Sequence, residues 1–233
     1  MSRLSPADRG TLRSAGLLYL AIIVLGIGAE LILRGPLIDP ADAAGTAEAI
    51  RAAPARFRGA IAADLGMALA DIGLALLLYR LFRPVAPGLA LAATVFRLVQ
   101  AVLIAANLMN LQAAWLLISA GQEPTGLGPG QDAALAGLFL NLHAHGYDLG
   151  LVFFGVNSLI TALLIWRSGF VPRPLGAALA VAGAVYLTGS ALRFFAPAAF
   201  EMFAPAYGLT LLAEGAFCLW LLAAGRARGP GPA

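Results

Sequence analysis

Residues 89–117 read LALAATVFRLVQAVLIAANLMNLQAAWLL, 29 residues that carry a single charge, Arg97. A helix rises 1.5 Å per residue and the hydrocarbon core of a bilayer is about 30 Å thick, so about 20 apolar residues suffice to cross it. This stretch exceeds that length and holds only Arg97, Gln100, Asn107, Asn110 and Gln112 as strongly polar interruptions. A transmembrane helix is the expected outcome.

Five further stretches meet the same test: residues 14–33, 60–82, 147–166, 175–195 and 202–224. The whole chain of 233 residues agrees with them, being 61% hydrophobic and only 12% charged, about half the charge of an ordinary soluble domain. The expected class is all-α: one integral membrane domain over residues 1–233, a bundle of six transmembrane helices. All 15 basic residues are arginine. A retinal pigment or a lysine Schiff-base enzyme needs an amine that can lose its proton, and guanidinium cannot replace it; both classes are excluded. The single cysteine, Cys218, forms no disulfide within the chain and reads as a small buried hydrophobe.

Arginine placement sets the expected topology. Arg3, Arg9 and Arg13 precede the first span, Arg80 and Arg83 join the second to the third, Arg167 and Arg173 join the fourth to the fifth, and Arg226 and Arg228 follow the last. With six helices these fall on one side, the cytoplasm by the positive-inside rule. Residues 1–13 are then a cytoplasmic N-terminus and 225–233 a flexible cytoplasmic tail, in a multi-pass protein of the inner (plasma) membrane. Arg51, Arg56 and Arg58 on the first outer link run against the rule. Asp42 or Thr46 is expected to cap a short outer helix through Arg51 that Pro54 ends. Residues 121–130 read as a Gly- and Pro-rich outer loop, and 131–145 as an extra outer-face helix. A helix running on to Trp166 would far exceed the membrane thickness, so a break is expected at Gly146.

A charge in hydrocarbon costs a few kcal/mol at least, so each one within a span calls for a partner, water or a function. The candidate binding residues are Glu30, Asp64, Asp71, Arg97, Gln100, Asn107, His143, Tyr147, Asp148, Arg193 and Glu214. Asp64 and Asp71 lie seven residues apart and share a helix face, as do Arg97, Gln100 and Asn107. Counted from the cytoplasmic ends, Asp71, Arg97 and Glu214 reach similar depth and are expected to cluster. Glu30, Asp64, Asn107 and Arg193 are expected to form a polar column in the outer half, beneath His143, His145, Tyr147 and Asp148. Asp71 with Arg97 also fits an ion pair that only fixes helix register.

Signatures of other chemistry are missing. No His-Glu-x-x-His, paired-cysteine, Gly-x-Ser-x-Gly or phosphate-loop pattern occurs, so no metal or other cofactor is expected. Two histidines on one short segment cannot sandwich a haem. No basic patch with interleaved aromatics points to nucleic acid. Membrane lipids are the expected partners, with protons or a small polar solute at the buried acids. The spacing of Gly146 and Gly150 allows a close helix contact or a homodimer. Asp64-Leu65-Gly66 and Asp148-Leu149-Gly150, each followed by an apolar run and an arginine, suggest a weak internal repeat of the kind transporters carry.

Four segments together resemble a known family: AGLLYL at 15–20, the helix from ADL at 63–65 to LLLY at 76–79, FRLVQ at 96–100, and HAHGYDLGL at 143–151. They are similar to a bacterial membrane family catalogued as domain of unknown function 4386. The resemblance covers nearly the whole chain and implies a multi-helix inner-membrane protein, without an activity or substrate. Three readings of function stand: a small carrier or binding protein whose acids take up protons or a polar solute; a non-catalytic membrane scaffold or accessory subunit; and an intramembrane enzyme acting on a lipid or isoprenoid from the outer face, with His143, Tyr147 and Asp148 as acid and base.

Overall fold

A computed structural model describes residues 6–119 and 128–226. Arg3, the loop residues 121–127 with Glu123, and the tail from 227 with Arg228 lie outside the described residues. Among the described residues there is no strand. The elements are α1 (Pro6–Ile27), a π-helical segment (Gly28–Arg34) and a 3₁₀ turn (Gly35–Leu37) that continue it, α2 (Ala43–Ala52), α3 (Pro54–Phe82), α4 (Pro87–Ser119), α5 (Pro129–Ser168), α6 (Arg173–Phe195), α7 (Pro197–Phe203) and α8 (Tyr207–Arg226). Among the described residues, six stretches are long and apolar enough to cross a membrane: Asp8–Leu37, Pro54–Phe82, Pro87–Ser119, Gly130–Ser168, Arg173–Phe195 and Pro197–Gly225.

Local chemistry sets the ends of these helices. Pro54, Pro87 and Pro197 stand at first helical positions, where a missing N–H costs nothing. The Asp42 carboxylate caps α2 by accepting the Gly45 N–H at 2.8 Å. Thr46 fastens the same turn, its hydroxyl accepting the Asp39 N–H at 2.9 Å. Side chains are sorted in reverse of a soluble protein. Leu212, Met109 and Leu31 are about 70% exposed while Arg97 and Asp64 are almost wholly buried, as lipid-facing apolar surface around a polar interior requires.

The chain divides into two compact units, residues 1–22, 69–101 and 148–233 forming the first, and 23–68 with 102–147 the second. In the first unit α6 packs on α8. Tyr19 meets Phe217 edge-on with ring centroids 5.9 Å apart, and α5 crosses α6 at Gly155 and Gly183, where a Cβ on either residue would press on the other's carbonyl. The second unit has a core of Leu37, Ile50, Phe57, Leu111, Ile118 and Leu140. Phe57 and Trp115 stack there, 6.3 Å between centroids.

Three expectations are revised. First, α5 is one helix of 40 residues, about 60 Å long. The helix expected over 131–145 is its opening part, with no break at Gly146. A mid-helix glycine costs only about 1 kcal/mol relative to alanine, too little to interrupt a helix held by its neighbours. Gly146 serves close approach instead, since a Cβ there would collide with the Asn107 carboxamide. Second, the first span does not stop at residue 33. It runs through the π-helical turn to Arg34 and on to Leu37. Third, the arginines of the link between the first two spans, which run against the positive-inside rule, are engaged by helix ends and rings. Arg51 Nε donates to the Ile118 carbonyl in the last turn of α4 at 3.0 Å, Arg56 Nε to the Ile32 carbonyl at 3.0 Å, and Arg58 lies 5.6 Å over the Trp115 ring. Cations suit the carbonyl ends of helices, which accounts for these residues without a topological role.

The contact at Gly146 is testable by a double-mutant cycle. Gly146→Ala should lower the unfolding temperature of the detergent-solubilised protein, reflecting an overpacking cost of about 1–3 kcal/mol. Adding Asn107→Ala should recover part of that loss.

Candidate functional site

Each unit carries one main polar group. In the first, the α4 residue Arg97 donates from Nε to Oδ1 of the α3 residue Asp71 at 2.6 Å, and its Nη2 ion-pairs with the same oxygen at 2.5 Å. Its Nη1 lies 3.5 Å from the Asn157 carboxamide oxygen on α5, and the Asn157 amide donates to the Ala93 carbonyl at 2.7 Å. The guanidinium is sandwiched by aromatic faces, 5.3 Å from the Tyr19 ring and 5.0 Å from Phe154. Cation–π contact replaces part of the hydration lost on burial. Gln100 reaches the same Asp71 carboxylate, while its own Oε1 is buried without a hydrogen-bond partner among the described residues.

Glu214 on α8 is 8% exposed and accepts a short hydrogen bond from the Tyr186 hydroxyl on α6; the Tyr19 hydroxyl reaches it too. Asp71, Arg97 and Glu214 are thus brought together, but through phenols. Only Asp71 is salt-bridged to Arg97, and Glu214 forms no salt bridge among the described residues. The same unit holds a second pair, Asp148 on α5 with Arg193 on α6. Arg193 also lies 4.1 Å over the Phe200 ring. Arg193 therefore belongs to Asp148, one of the residues the polar column was expected to lie beneath, and Asp148 is a carboxylate already balanced by a guanidinium.

The second unit contains Glu30, Arg34 and Asp64. Arg34 is shared between Glu30, four residues earlier on the π-helical turn, and Asp64, at 2.5 Å from Nη1. Asp64 is fully buried while the Glu30 side chain is 60% exposed. His143 lies in the same unit, bound to Asn107. The Asn107 amide donates to the His143 carbonyl at 2.8 Å and lies 3.1 Å from ring Nδ1. Asn110 donates to the Asn107 carboxamide oxygen at 2.8 Å, and the Tyr147 ring is 6.4 Å from the imidazole. His145 is turned to its own helix, with Nδ1 3.0 Å from the Asn141 carbonyl.

Sequence reasoning missed Arg34, Asn157, Tyr19 and Tyr186. Arg34 lay one residue beyond the assumed end of the first span. Asn157 is a carboxamide in the middle of an apolar run, a signal of the same kind as Asn107. The tyrosines carry a hydroxyl that needs a partner when buried, and only the fold shows that Glu214 supplies it.

Room around these groups is limited. Beside Arg97 lies a cavity of about 10 Å³, lined by Tyr79, Thr94, Asn157 and Thr161 among others. A cleft of about 440 Å³ in the second unit lies between α2 and the start of α5, lined by Ala43, Glu48, Arg51 and Ala133, and none of the expected site residues borders it. Among the described residues no cluster of three or more His, Cys, Asp or Glu side chains is placed to hold a metal ion.

Removing one member of a buried pair strands the other. Arg97→Leu should cost about 3–5 kcal/mol of unfolding free energy in detergent, and Asp71→Leu combined with it should regain most of that. Glu30→Gln leaves Arg34 paired with Asp64 and should cost less than Arg97→Leu. A loss as small for Arg97→Leu as for Glu30→Gln would contradict the pairing described.

The comparisons with known proteins add a family and no activity. An uncharacterized protein of Archaeoglobus fulgidus is 27% identical over 157 residues, which is 67% of this chain and 77% of that protein. No solved structure matches. The model of the domain of unknown function DUF4386 matches residues 14–225, a span that contains every candidate residue above, and this multi-pass membrane protein therefore belongs to the DUF4386 family.

Proposed function

We propose that the protein is a small carrier of the inner (plasma) membrane that takes up protons on its buried carboxyl groups, with Glu214 as the principal site. The observation that carries this reading is the setting of Glu214: a buried carboxyl group held by the Tyr186 hydroxyl and in no salt bridge among the described residues. Of the buried carboxylates in the first unit, Asp71 and Asp148 each have a guanidinium, so an ionised Glu214 is the one left over. Net charge in hydrocarbon is costly, and binding a proton removes it.

The closed packing of the Asp71–Arg97 pair also favours a second reading, a scaffold or accessory subunit whose ion pairs fix helix register. The lipid-enzyme reading has less behind it, because the His143 side chain is buried and bonded to Asn107 and Asp148 is committed to Arg193.

Proteoliposomes loaded with a pH-sensitive dye separate the two. Under an imposed pH gradient the wild-type protein should acidify the lumen faster than empty liposomes, and Glu214→Gln should return the rate to that background. An infrared difference spectrum should show a protonated carboxyl stretch that Glu214→Gln removes. Wild-type flux equal to empty liposomes would support the scaffold instead.

A further inference from the structure

The cavity beside Arg97 combines three properties. Its volume of about 10 Å³ is close to the smallest space that holds one water molecule. Its wall is polar where a dry cavity's would be hydrocarbon, since Thr94, Arg97, Asn157 and Thr161 all face it. Finally, the hydrogen bonding around it is incomplete. Arg97 Nη2, although ion-paired to Asp71, has no hydrogen bond of acceptable geometry among the described residues. Arg97 Nη1 meets the Asn157 oxygen only at 3.5 Å, the outer edge of a useful bond. The Thr94 hydroxyl donates to the Ala90 carbonyl at 2.8 Å and keeps lone pairs to accept. A buried water typically makes about three hydrogen bonds to otherwise unsatisfied polar groups, and this wall supplies donors and acceptors in that number.

We propose that this cavity is a hydration site, where an exchangeable water bound by Arg97, Asn157 and the flanking threonines gives the Asp71–Arg97 pair its contact with the aqueous phase. Its use as a step in proton uptake rests on the carrier reading; its occupancy by water does not. The rest of the wall, including Ala75, Leu78, Phe82 and Leu164, is apolar and limits the site to water-sized species.

The chain's own cysteine makes a direct test available. Cys218 is the only one in the sequence and is 1% exposed, so its S–H infrared band serves as a dry internal reference. Thr161→Cys places a near-isosteric thiol in the cavity wall, and Ala162→Cys, at a neighbouring position with no exposure, places one outside it. After transfer of lipid-reconstituted full-length protein into D₂O, the band of the thiol introduced by Thr161→Cys should move to its S–D position promptly. Cys218 and the thiol introduced by Ala162→Cys should lag far behind. Equal exchange of the cavity-wall thiol and Cys218, whether both slow or both fast, would overturn the proposal, and persistence of the Cys218 S–H band shows that the variant has kept its interior. Prompt exchange of the cavity-wall thiol in a protein that carries no protons would uphold the hydration site and reject the carrier reading, so the two failures are distinguishable.

Discussion

Charge in a low-dielectric interior must be answered by opposite charge, hydrogen bonds or water, and that constraint organises this protein more than any helix propensity does. The Asp71–Arg97 pair shows how it is met. One guanidinium is bonded edge-on to a carboxylate, covered on its faces by Tyr19 and Phe154, and approached by Asn157 at its remaining edge. Four different helices contribute these groups, so the pair ties α1, α3, α4 and α5 at one level of the first unit. Replacing Asp71 or Arg97 leaves a desolvated polar atom rather than a merely looser contact.

The glycines obey the complementary rule. Where hydrophobic burial cannot drive helices together because lipid is equally apolar, close packing does so, and small residues permit it. Gly155 and Gly183 let two backbones touch, and Gly146 admits the Asn107 carboxamide against the α5 backbone. The second case joins both themes, because the space left by a missing side chain is filled by a polar group that bonds the next helix.

The class and the span count were legible because a run such as 89–117 has no alternative in water. The Asp71–Arg97 pairing was legible too, since equal depth on adjacent helices brings opposite charges together. Arg34 was not, because hydropathy places a span's end where polarity begins. The π-helical turn that carries Glu30 and Arg34 onward to Asp64 leaves no mark in composition. Gly146 misled because length and a glycine both argued for a break, whereas a 40-residue helix needs only neighbours along its course. The roles of Tyr19 and Tyr186 depend on which helix faces which, and one sequence holds no record of that.

The absence of lysine has a further meaning once the interior is known. A guanidinium keeps its charge under all physiological conditions, so Arg34, Arg97 and Arg193 are permanent cations at the places they occupy. Every change of electrical state inside the protein then falls to the groups that exchange protons, its carboxyl groups and the buried His143. A lysine in any of these places would add a titrating group of its own. With arginine fixed in charge, the interior potential follows the proton occupancy of the carboxyl groups and of one imidazole.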